Sequence, residues 1–271
     1  MRTDPVGDRM KDAEKRYRDV VDPQQYTIVR LDGKAFHSFT RAYEKPFDNR
    51  ILHAMGDTAR DLMFEVPEIK FAYTQSDEIS LLFTDFATPT TQQWYGGQVQ
   101  KMTTVLASMA SVFFNRALDQ SKEEVGEPKV NDDLAFFDAR VLTLTTRRDT
   151  SDYFLWRNRD AQRNSVSAAA QSMFSHRQLQ GVGTIDMIEM MAEKGVDFHK
   201  DFSVAARNGW VHYKDLREED ITYTRKDTGE TLSETVMRHW VTSQACPDKG
   251  FPEFLWDKIP AKPHTNGPLP F

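Results

Sequence analysis

Cysteine, long apolar runs and excess positive charge are all scarce in this 271-residue chain. The single cysteine, Cys246, excludes an internal disulfide and a zinc site built from cysteines. No run approaches the roughly 20 apolar residues that a membrane-spanning helix needs. The first residues, moreover, lack the apolar stretch of a secretory signal. We therefore expect a cytoplasmic protein that does not associate with a membrane.

The charge balance is acidic, with a net charge of −6 and a pI of about 5.7. A strongly basic nucleic-acid-binding protein would differ in this respect, so any contact with RNA must use a local basic patch. One such patch lies between residues 147 and 177, where six arginines accompany three acidic residues. Within it, the arginines that we expect to contact an RNA backbone are Arg157, Arg159 and Arg163.

Two stretches combine strand-like sequence with acidic residues at a turn. In residues 26–37 an apolar, β-branched run ends in Asp32 followed by glycine, and in residues 71–83 two strand-like runs flank a Ser-Asp-Glu tip at 76–78. If the strands are neighbours, Asp32 and Asp77 converge on one point, and hard divalent cations such as Mg²⁺ prefer such oxygen ligands. These stretches therefore predict a metal-dependent site for nucleotidyl transfer.

Hydrophobic periodicity predicts the remaining elements. Up to residue 146 the expected elements are a surface helix at 9–20, a strand at 26–31, a helix at 48–64 with Asp48 as its N-cap, the hairpin at 71–83, a long helix at 97–120, a polar loop at 123–133 and a strand within 134–146. Beyond residue 146 they are helices at 151–174 and 184–194, a strand pair at 210–213 and 221–225 joined by an acidic loop at 215–220, a turn at 227–230 and an extended tail at 260–271.

The order of elements up to residue 146 is strand, helix, strand, strand, helix, strand, as in a ferredoxin-like split βαβ unit. The predicted fold class is therefore α+β, a palm-type antiparallel sheet with helices on one face and a C-terminal extension of helices and a β-hairpin. We expect residues 1–146 to form the catalytic core. Residues 147–271 are expected to form an RNA-contacting or oligomerisation region packed on that core.

Five short motifs follow one another along the chain. They are Arg30-Leu-Asp-Gly-Lys-Ala-Phe-His-Ser-Phe39, Glu44-Lys-Pro46 with Asp48, Gln75-Ser-Asp-Glu78, Phe137-Asp-Ala-Arg140 and Trp156-Arg157. In this order they resemble the tRNA-histidine guanylyltransferase family, and the match runs from about residue 9 to about residue 213. The resemblance implies an Mg²⁺-dependent, homotetrameric enzyme that adds nucleotides to tRNA 5′ ends in the 3′→5′ direction.

The resemblance also implies roles for individual residues, with two Mg²⁺ ions as cofactors and GTP and ATP as substrates. The implied metal ligands are Asp32, the Gly33 carbonyl and Asp77. The implied nucleotide contacts are Asp32, Gly33, Lys34, Ala35, Phe36, His37, Lys45, Ser76, Asp77, Lys101 and Arg140. The expected catalytic residues are Asp32, Asp77, Glu78 and Lys45. Successive backbone N–H groups bind anions in many proteins, so the amides of residues 33–37 are expected to cradle a triphosphate.

One stretch departs from the eukaryotic pattern of the family. Eukaryotic enzymes of this kind carry His-Ile-Asn-Asn-Leu-Tyr-Asn shortly after Trp-Arg, whereas this chain has Gln-Arg-Asn-Ser-Val-Ser-Ala at residues 162–168. In this respect it resembles the guanylyltransferase-like branch of 3′→5′ polymerases from bacteria, archaea and phages, which repair 5′-truncated tRNAs on a template. Either tRNA-histidine guanylylation or template-directed repair is therefore expected.

Several residues have a structural alternative. Asp32 and Asp77 are also common turn residues, and Phe36 is also a core residue. Glu78 is also a candidate hydrogen-bond acceptor behind the metal ligands or a structural partner of Arg30. Lys45, Lys101, Arg140 and the arginines of the basic patch suit a solvated or ion-paired surface equally well. For the whole chain, the alternatives are a catalytically silent nucleotide- or RNA-binding protein and a nucleotide cyclase of similar fold.

Overall fold

The structure, a computed structural model, describes residues 4–88, 90–125 and 133–263. Its strands are β1 (Tyr26–Gly33), β2 (Ile69–Gln75), β3 (Glu78–Phe83), β4 (Phe137–Leu144), β5 (Trp210–Thr224) and β6 (Thr231–Ala245). They form one sheet in the order β4-β1-β3-β2-β5-β6, in which each neighbouring pair is antiparallel. The first four strands of this order are the ferredoxin-like arrangement that the sequence predicts.

Helices cover both faces of the sheet. They are α1 (Pro5–Lys15), α2 (Phe36–Phe39), α3 (Asn49–Glu65), α4 (Val99–Val125), α5 (Arg147–Met173), α6 (His176–Leu179), α7 (Thr184–Glu193), α8 (Phe198–Asp201), α9 (Val204–Asn208) and α10 (Phe251–Lys258). Short 3₁₀ turns occur at Thr40–Ala42 and Trp94–Gly97. The α+β fold class is therefore confirmed.

The first core lies between the sheet and helices α3 and α4. Asp48 caps α3 by accepting a hydrogen bond from the Arg50 N–H, which satisfies one of the helix's unpaired donors. The apolar residues of α4 that reach this core follow a spacing of four, because positions four apart share one face of a helix. Met102, Leu106, Ala110, Phe114 and Leu118 form this row, and Ala117 beside it also belongs to the core.

A second core lies on the opposite face of the sheet, beneath α5 and α10. The helices of the predicted core, α3 and α4, lie on one face as expected, and helices of the C-terminal extension cover the other face, because the central strands are apolar on both sides. Ile28 of β1 and Leu82 of β3 are paired Cα partners whose side chains belong to this second core, whereas Val29 and Leu81 belong to the first. Both faces must therefore be covered to remove these side chains from water.

The C-terminal half of the chain extends the same sheet, because Trp210–Tyr213 pair directly with Phe71–Thr74 of β2. The division between a core at 1–146 and a packed C-terminal region stays a prediction. The predicted strand pair 210–213 and 221–225 was wrong. The acidic stretch 215–220 is part of β5, and β5 pairs with β6 along its whole length, with the turn at residues 225–230.

Other boundaries differ by a few residues. The first helix spans Pro5–Lys15 rather than 9–20, and the long helix α4 continues to Val125. Part of the predicted polar loop (126–132) and most of the predicted tail (264–271) lie outside the described residues. Among the helices in the described part of the chain, none has the length and apolar character needed to cross a membrane.

Candidate active site

Asp32 and Asp77 lie beside each other at one end of the sheet. Asp32 is the Cα partner of Glu78 in the β1–β3 ladder, and the Gly33 N–H donates to the Asp77 carbonyl at 3.0 Å. Burial raises the pKa of Asp77, and the nearby charges of Asp32 and Glu78 raise it further, against hydrogen bonds from the Asp77 backbone and the Ser76 side chain. The turn therefore holds a carboxylate in an environment that favours a cation next to it.

The donor set at this point suits a hard divalent cation. No group of three or more His, Cys, Asp or Glu side chains that would hold a metal occurs within the described ranges. Mg²⁺ does not need one, because it usually binds one or two carboxylates and completes its octahedron with water and substrate phosphates. Two aspartates in electrostatic contact fit that pattern.

Gly33 lies where a side chain has no room. A Cβ at this position would be 2.2 Å from the nearest carbon of the Phe36 ring. Phe36 itself is buried against Phe39, Phe114 and Phe137. Phe36 is therefore mainly a core residue, as the structural alternative holds. Its packed ring also fixes the backbone of Gly33 at the end of β1.

The predicted amide cradle is smaller than expected. The N–H groups of Gly33 and Lys34 donate to the carbonyls of Asp77 and Phe136, at 3.0 and 2.8 Å. Both amides are therefore engaged within the protein. The residues left for anion contact are those from Ala35, which has a left-handed φ of 54°, into the first turn of α2.

A cavity of about 560 Å³ opens beside Asp77. One wall comes from residues 36–52, a second from the hairpin tip Gln75–Asp77, and a third from α5 and α9. His37, Lys45 and Ser76 contribute polar groups to it. The Lys45 ammonium donates to the Thr40 carbonyl at 2.9 Å and is exposed. The size and the mixed lining suit a nucleotide-sized ligand.

A polar shelf extends from Asp32 across the α5-facing side of β1 and β4. We call it the β1–β4 shelf and define it by Arg30, Asp32, Asp138 and Arg140. Arg30 is the Cα partner of Arg140, and Asp32 is that of Asp138, so all four side chains leave the same face of the sheet. The Arg140 guanidinium lies 3.5 Å from the Asp32 carboxylate and 3.6 Å from that of Asp138. The shelf thus places guanidinium groups, which bind phosphate well, directly beside the candidate metal ligands.

Comparison with known proteins shows the family of this chain. The family model described as tRNAHis guanylyltransferase matches residues 7–145. The tRNA(His) guanylyltransferase of Debaryomyces hansenii is 30% identical over 225 residues, which cover 78% of this chain and 79% of that protein. The chain belongs to the tRNAHis guanylyltransferase family. Its homologues are nucleotidyltransferases, and this chain is an enzyme of that class.

Two solved structures of bacterial tRNA(His) guanylyltransferase-like proteins have the same fold. One, in complex with ATP, is 36% identical with a TM-score of 0.69 and covers 78% of this chain and 87% of its own. The other, in complex with GTP, is 31% identical with a TM-score of 0.66 and covers 86% and 91%. The fold of this chain is thus shared with guanylyltransferase-like proteins that have been solved with bound nucleotides.

Glu78 has a different position from its neighbour Asp77. Its buried carboxylate accepts from Nε and Nη2 of Arg157 at 2.7 and 2.5 Å and from the Ser80 hydroxyl at 3.3 Å. The suggested pairing with Arg30 is therefore wrong, since Arg157 is the partner. This bidentate pair joins the site end of β3 to α5, which argues for a positioning role rather than direct contact with substrate.

Arg157 is buried, and its guanidinium also contacts Asp160 at 3.1 Å. This placement disagrees with its expected contact with an RNA backbone. Arg159 and Arg163 do lie on the exposed side of α5, with Arg163 paired to Asp160 at 2.8 Å. Of the three predicted RNA contacts, only these two are accessible in the guanylyltransferase-family chain.

The structure does not bring Lys101 to the active site. The site end of α4 is marked by Ser111, whose hydroxyl accepts from the Phe137 N–H at 3.1 Å. Lys101 precedes Ser111 by ten positions, which is about 15 Å along a helix at 1.5 Å per residue, and its ammonium lies over the Tyr95 ring. The expected phosphate contact fails because helical spacing alone does not reveal which end of a helix approaches the site.

Two features of the site were missed from the sequence. Arg30 reads as part of the β1 strand, and only its register opposite Arg140 places it on the shelf. Residues 161–172 of α5 line the cavity through Asn164, Ser165 and Gln171. The position of Arg30 could have been predicted, because residues two apart on a strand share a face and Arg30 precedes Asp32 by two positions. No local signal indicated that α5 faces the cavity.

Proposed function

We propose that this chain is an Mg²⁺-dependent nucleotidyltransferase that uses ATP or GTP to add nucleotides to tRNA 5′ ends in the 3′→5′ direction. The observation that carries the proposal is the meeting of Asp32 and Asp77 between a nucleotide-sized cavity and an arginine-bearing shelf. Phosphoryl transfer requires mainly positioning and neutralisation of phosphate charge. This arrangement supplies groups for both.

Asp32, Asp77 and the Gly33 carbonyl are the groups that would hold two Mg²⁺ ions. When bound, the ions neutralise the negative charge on the phosphate oxygens, on the attacking oxygen and on the leaving-group oxygen. The cavity would hold the activating nucleotide, with Lys45, His37 and Ser76 near its phosphates and ribose. Arg30 and Arg140 would bind the phosphates of the second nucleotide, whose 3′-hydroxyl attacks the activated RNA 5′ end. A new phosphodiester bond forms there and the activating group leaves.

The support for nucleotide and tRNA substrates comes from the relatives. Structural neighbours are in complex with ATP and with GTP, and the named homologues act on tRNA(His). For RNA contact, Arg159 and Arg163 on the exposed side of α5 are the proposed residues. The homotetrameric assembly and the cytoplasmic location stay predictions.

Template-directed repair of 5′-truncated tRNA is the favoured branch of this activity, because residues 162–168 lack the eukaryotic His-Ile-Asn-Asn pattern. The test compares incorporation of a labelled nucleotide into full-length tRNA-histidine and into a 5′-truncated tRNA, with Mg²⁺ and with chelator. We expect product on the truncated tRNA that chelation abolishes. Preference for full-length tRNA-histidine would assign guanylylation instead.

The same assay separates the alternatives. Formation of a cyclic nucleotide from ATP or GTP without RNA would indicate a nucleotide cyclase. Nucleotide and tRNA binding without any product would indicate a catalytically silent binding protein. The variants Asp32→Asn and Asp77→Asn are expected to lose activity by a factor of at least about 100. Asp138→Asn, on the same shelf, is the matched control and is expected to keep most of it.

A further inference from the structure

Trp156 stands out on the exposed side of α5. Its side chain is 50% exposed although it is the largest apolar residue type. The second core includes Tyr153 and Phe154 of α5 and does not include Trp156. The Trp156-Arg157 motif therefore contains one residue, Arg157, with a structural role and one that the fold leaves unexplained.

Contacts of Tyr153 connect Trp156 to the side of the sheet that carries the β1–β4 shelf. The Tyr153 and Trp156 ring centroids are 5.9 Å apart, and the Tyr153 hydroxyl lies 3.0 Å from the Ser80 hydroxyl. Ser80 is the Cα partner of Arg30. Burial raises the pKa of Tyr153, and the nearby guanidinium of Arg30 opposes that shift. Through Tyr153 and Ser80, the indole is thus two contacts from the register position of Arg30, on the face of the sheet from which Arg30 and Asp32 project.

The orientation of the indole is constrained. The Arg157 guanidinium carbon lies 4.5 Å from the Trp156 ring centroid, so it covers part of one face of the ring. Glu78 and Asp160 hold that guanidinium through contacts at 2.5 to 3.1 Å. An aromatic ring that is held in this way, and still half exposed, is pre-organised for stacking, since little side-chain entropy remains to be lost.

We propose that Trp156 stacks on the nucleobase of the nucleotide whose phosphates bind Arg30 and Arg140 on the β1–β4 shelf. This inference rests on the proposed function and adds a base contact to it. Stacking on an aromatic ring accepts any base, because each base has a π-face. The ligand is a nucleotide, which by the proposed function is the incoming nucleoside triphosphate. The 5′-terminal nucleotide of the RNA has the same chemistry and is the other source that the test distinguishes.

The test measures tryptophan fluorescence and affinity in four proteins: the wild type, Trp156→Leu, Trp156→Phe and Trp240→Leu. Trp240 is the matched control, because it is similarly exposed, at 42%, on the β5–β6 hairpin. The ligands are GTP, a 5′-triphosphorylated RNA hairpin and inorganic tripolyphosphate, which has the phosphates and no base. The difference between wild-type and variant spectra isolates the signal of the substituted tryptophan.

We expect Trp156→Leu to lose part of the quenching and to bind GTP, the RNA hairpin or both about tenfold more weakly, the typical effect of one lost base stack. Trp156→Phe should keep most of the affinity, and Trp240→Leu should match the wild type. Tripolyphosphate should bind all four proteins equally. If only the affinity for GTP falls, the base that stacks on Trp156 belongs to the incoming nucleotide. If only the affinity for the hairpin falls, it belongs to the RNA.

Equal GTP and RNA affinities in Trp156→Leu and Trp240→Leu, with equal quenching, would overturn the inference. An equal loss of tripolyphosphate binding in Trp156→Leu would overturn it as well, because that result indicates a general structural effect. Failure of the proposed function has a different signature. In that case the wild type binds GTP or the RNA hairpin more tightly than Trp156→Leu does, and yet adds no nucleotide to tRNA.

Discussion

At the scale of single residues, two adjacent carboxylates at the tip of the β2–β3 hairpin have different environments. Asp77 lies next to Asp32 and the cavity, whereas Glu78 is buried in a bidentate pair with Arg157. Asp77 lies in the two-residue turn between β2 and β3, where Ser76 has a φ of 49°, so its side chain does not follow the strand pattern that places Glu78 on the α5 side. The end of β3 thus separates the candidate metal ligand Asp77, in the turn, from the structural partner Glu78, in the strand.

The Glu78–Arg157 pair should matter strongly for stability. Arg157→Met leaves Glu78 buried without its charged partner, so we expect the free energy of unfolding to fall by about 3–5 kcal/mol. Urea denaturation measures this effect. Arg163→Met is the matched control on the same helix, because the Arg163–Asp160 pair is exposed and should contribute less than about 1 kcal/mol. Equal losses in the two variants would contradict the assigned role of Arg157.

His212 should make stability depend on pH. Burial, together with the charge of Arg60, lowers its pKa from 6.5 to about 3. Below pH 6.5 the unfolded chain takes up a proton that folded His212 does not bind. The free energy of unfolding should therefore fall as the pH falls, by up to about 1.4 kcal/mol per pH unit, until about pH 3.

Urea titrations at pH 7, 6 and 5 test this expectation. His212→Asn should reduce the slope over that range, and His239→Asn, an exposed histidine on the same hairpin, should leave it unchanged. An unaltered slope in His212→Asn would show that other groups cause the pH dependence.

At the scale of secondary-structure elements, the β5–β6 hairpin has an inner and an outer part. Trp210–Tyr213 pair with β2 and belong to the sheet, whereas residues 216–239 of the two arms pair only with each other. Within the outer part no residue is buried. The outer arms therefore contribute little to the core.

Removal of the outer hairpin tests this division. Joining Leu216 to His239 through Asn-Gly, a turn that suits a two-residue hairpin, should shift the thermal midpoint by only a few degrees and leave the unfolding cooperative. Circular dichroism during heating measures both properties. Loss of the cooperative transition would show that the outer arms stabilise the core.

At the scale of the whole molecule, the sequence indicated the parts of the fold that a strong periodic pattern determines. The strand before Asp32, the capped helix after Asp48 and the hairpin around Asp77 were each predicted close to their final bounds. Each combines an apolar pattern with a turn or cap signal. Their meeting at one end of the sheet followed from the ferredoxin-like order.

The features that could not be predicted from the sequence depend on how distant elements pack against each other. The acidic stretch 215–220 reads as a loop, because an exposed strand outside the core carries polar residues on both faces. Arg157 reads as a surface residue, because its burial depends on Glu78, 79 positions away along the chain. Lys101 reads as a phosphate ligand, because the direction in which α4 crosses the sheet is not a local property.

The central claim, that Asp32 and Asp77 together hold the metal, can be measured by binding of Mn²⁺ as a spectroscopic substitute for Mg²⁺. The titration uses electron paramagnetic resonance in the presence of a non-hydrolysable ATP analogue. We predict that the wild type and Asp138→Asn bind Mn²⁺ with similar affinity, and that Asp32→Asn and Asp77→Asn each bind it at least about tenfold more weakly while retaining the wild-type circular dichroism spectrum. Wild-type Mn²⁺ affinity in both of these variants would contradict the claim.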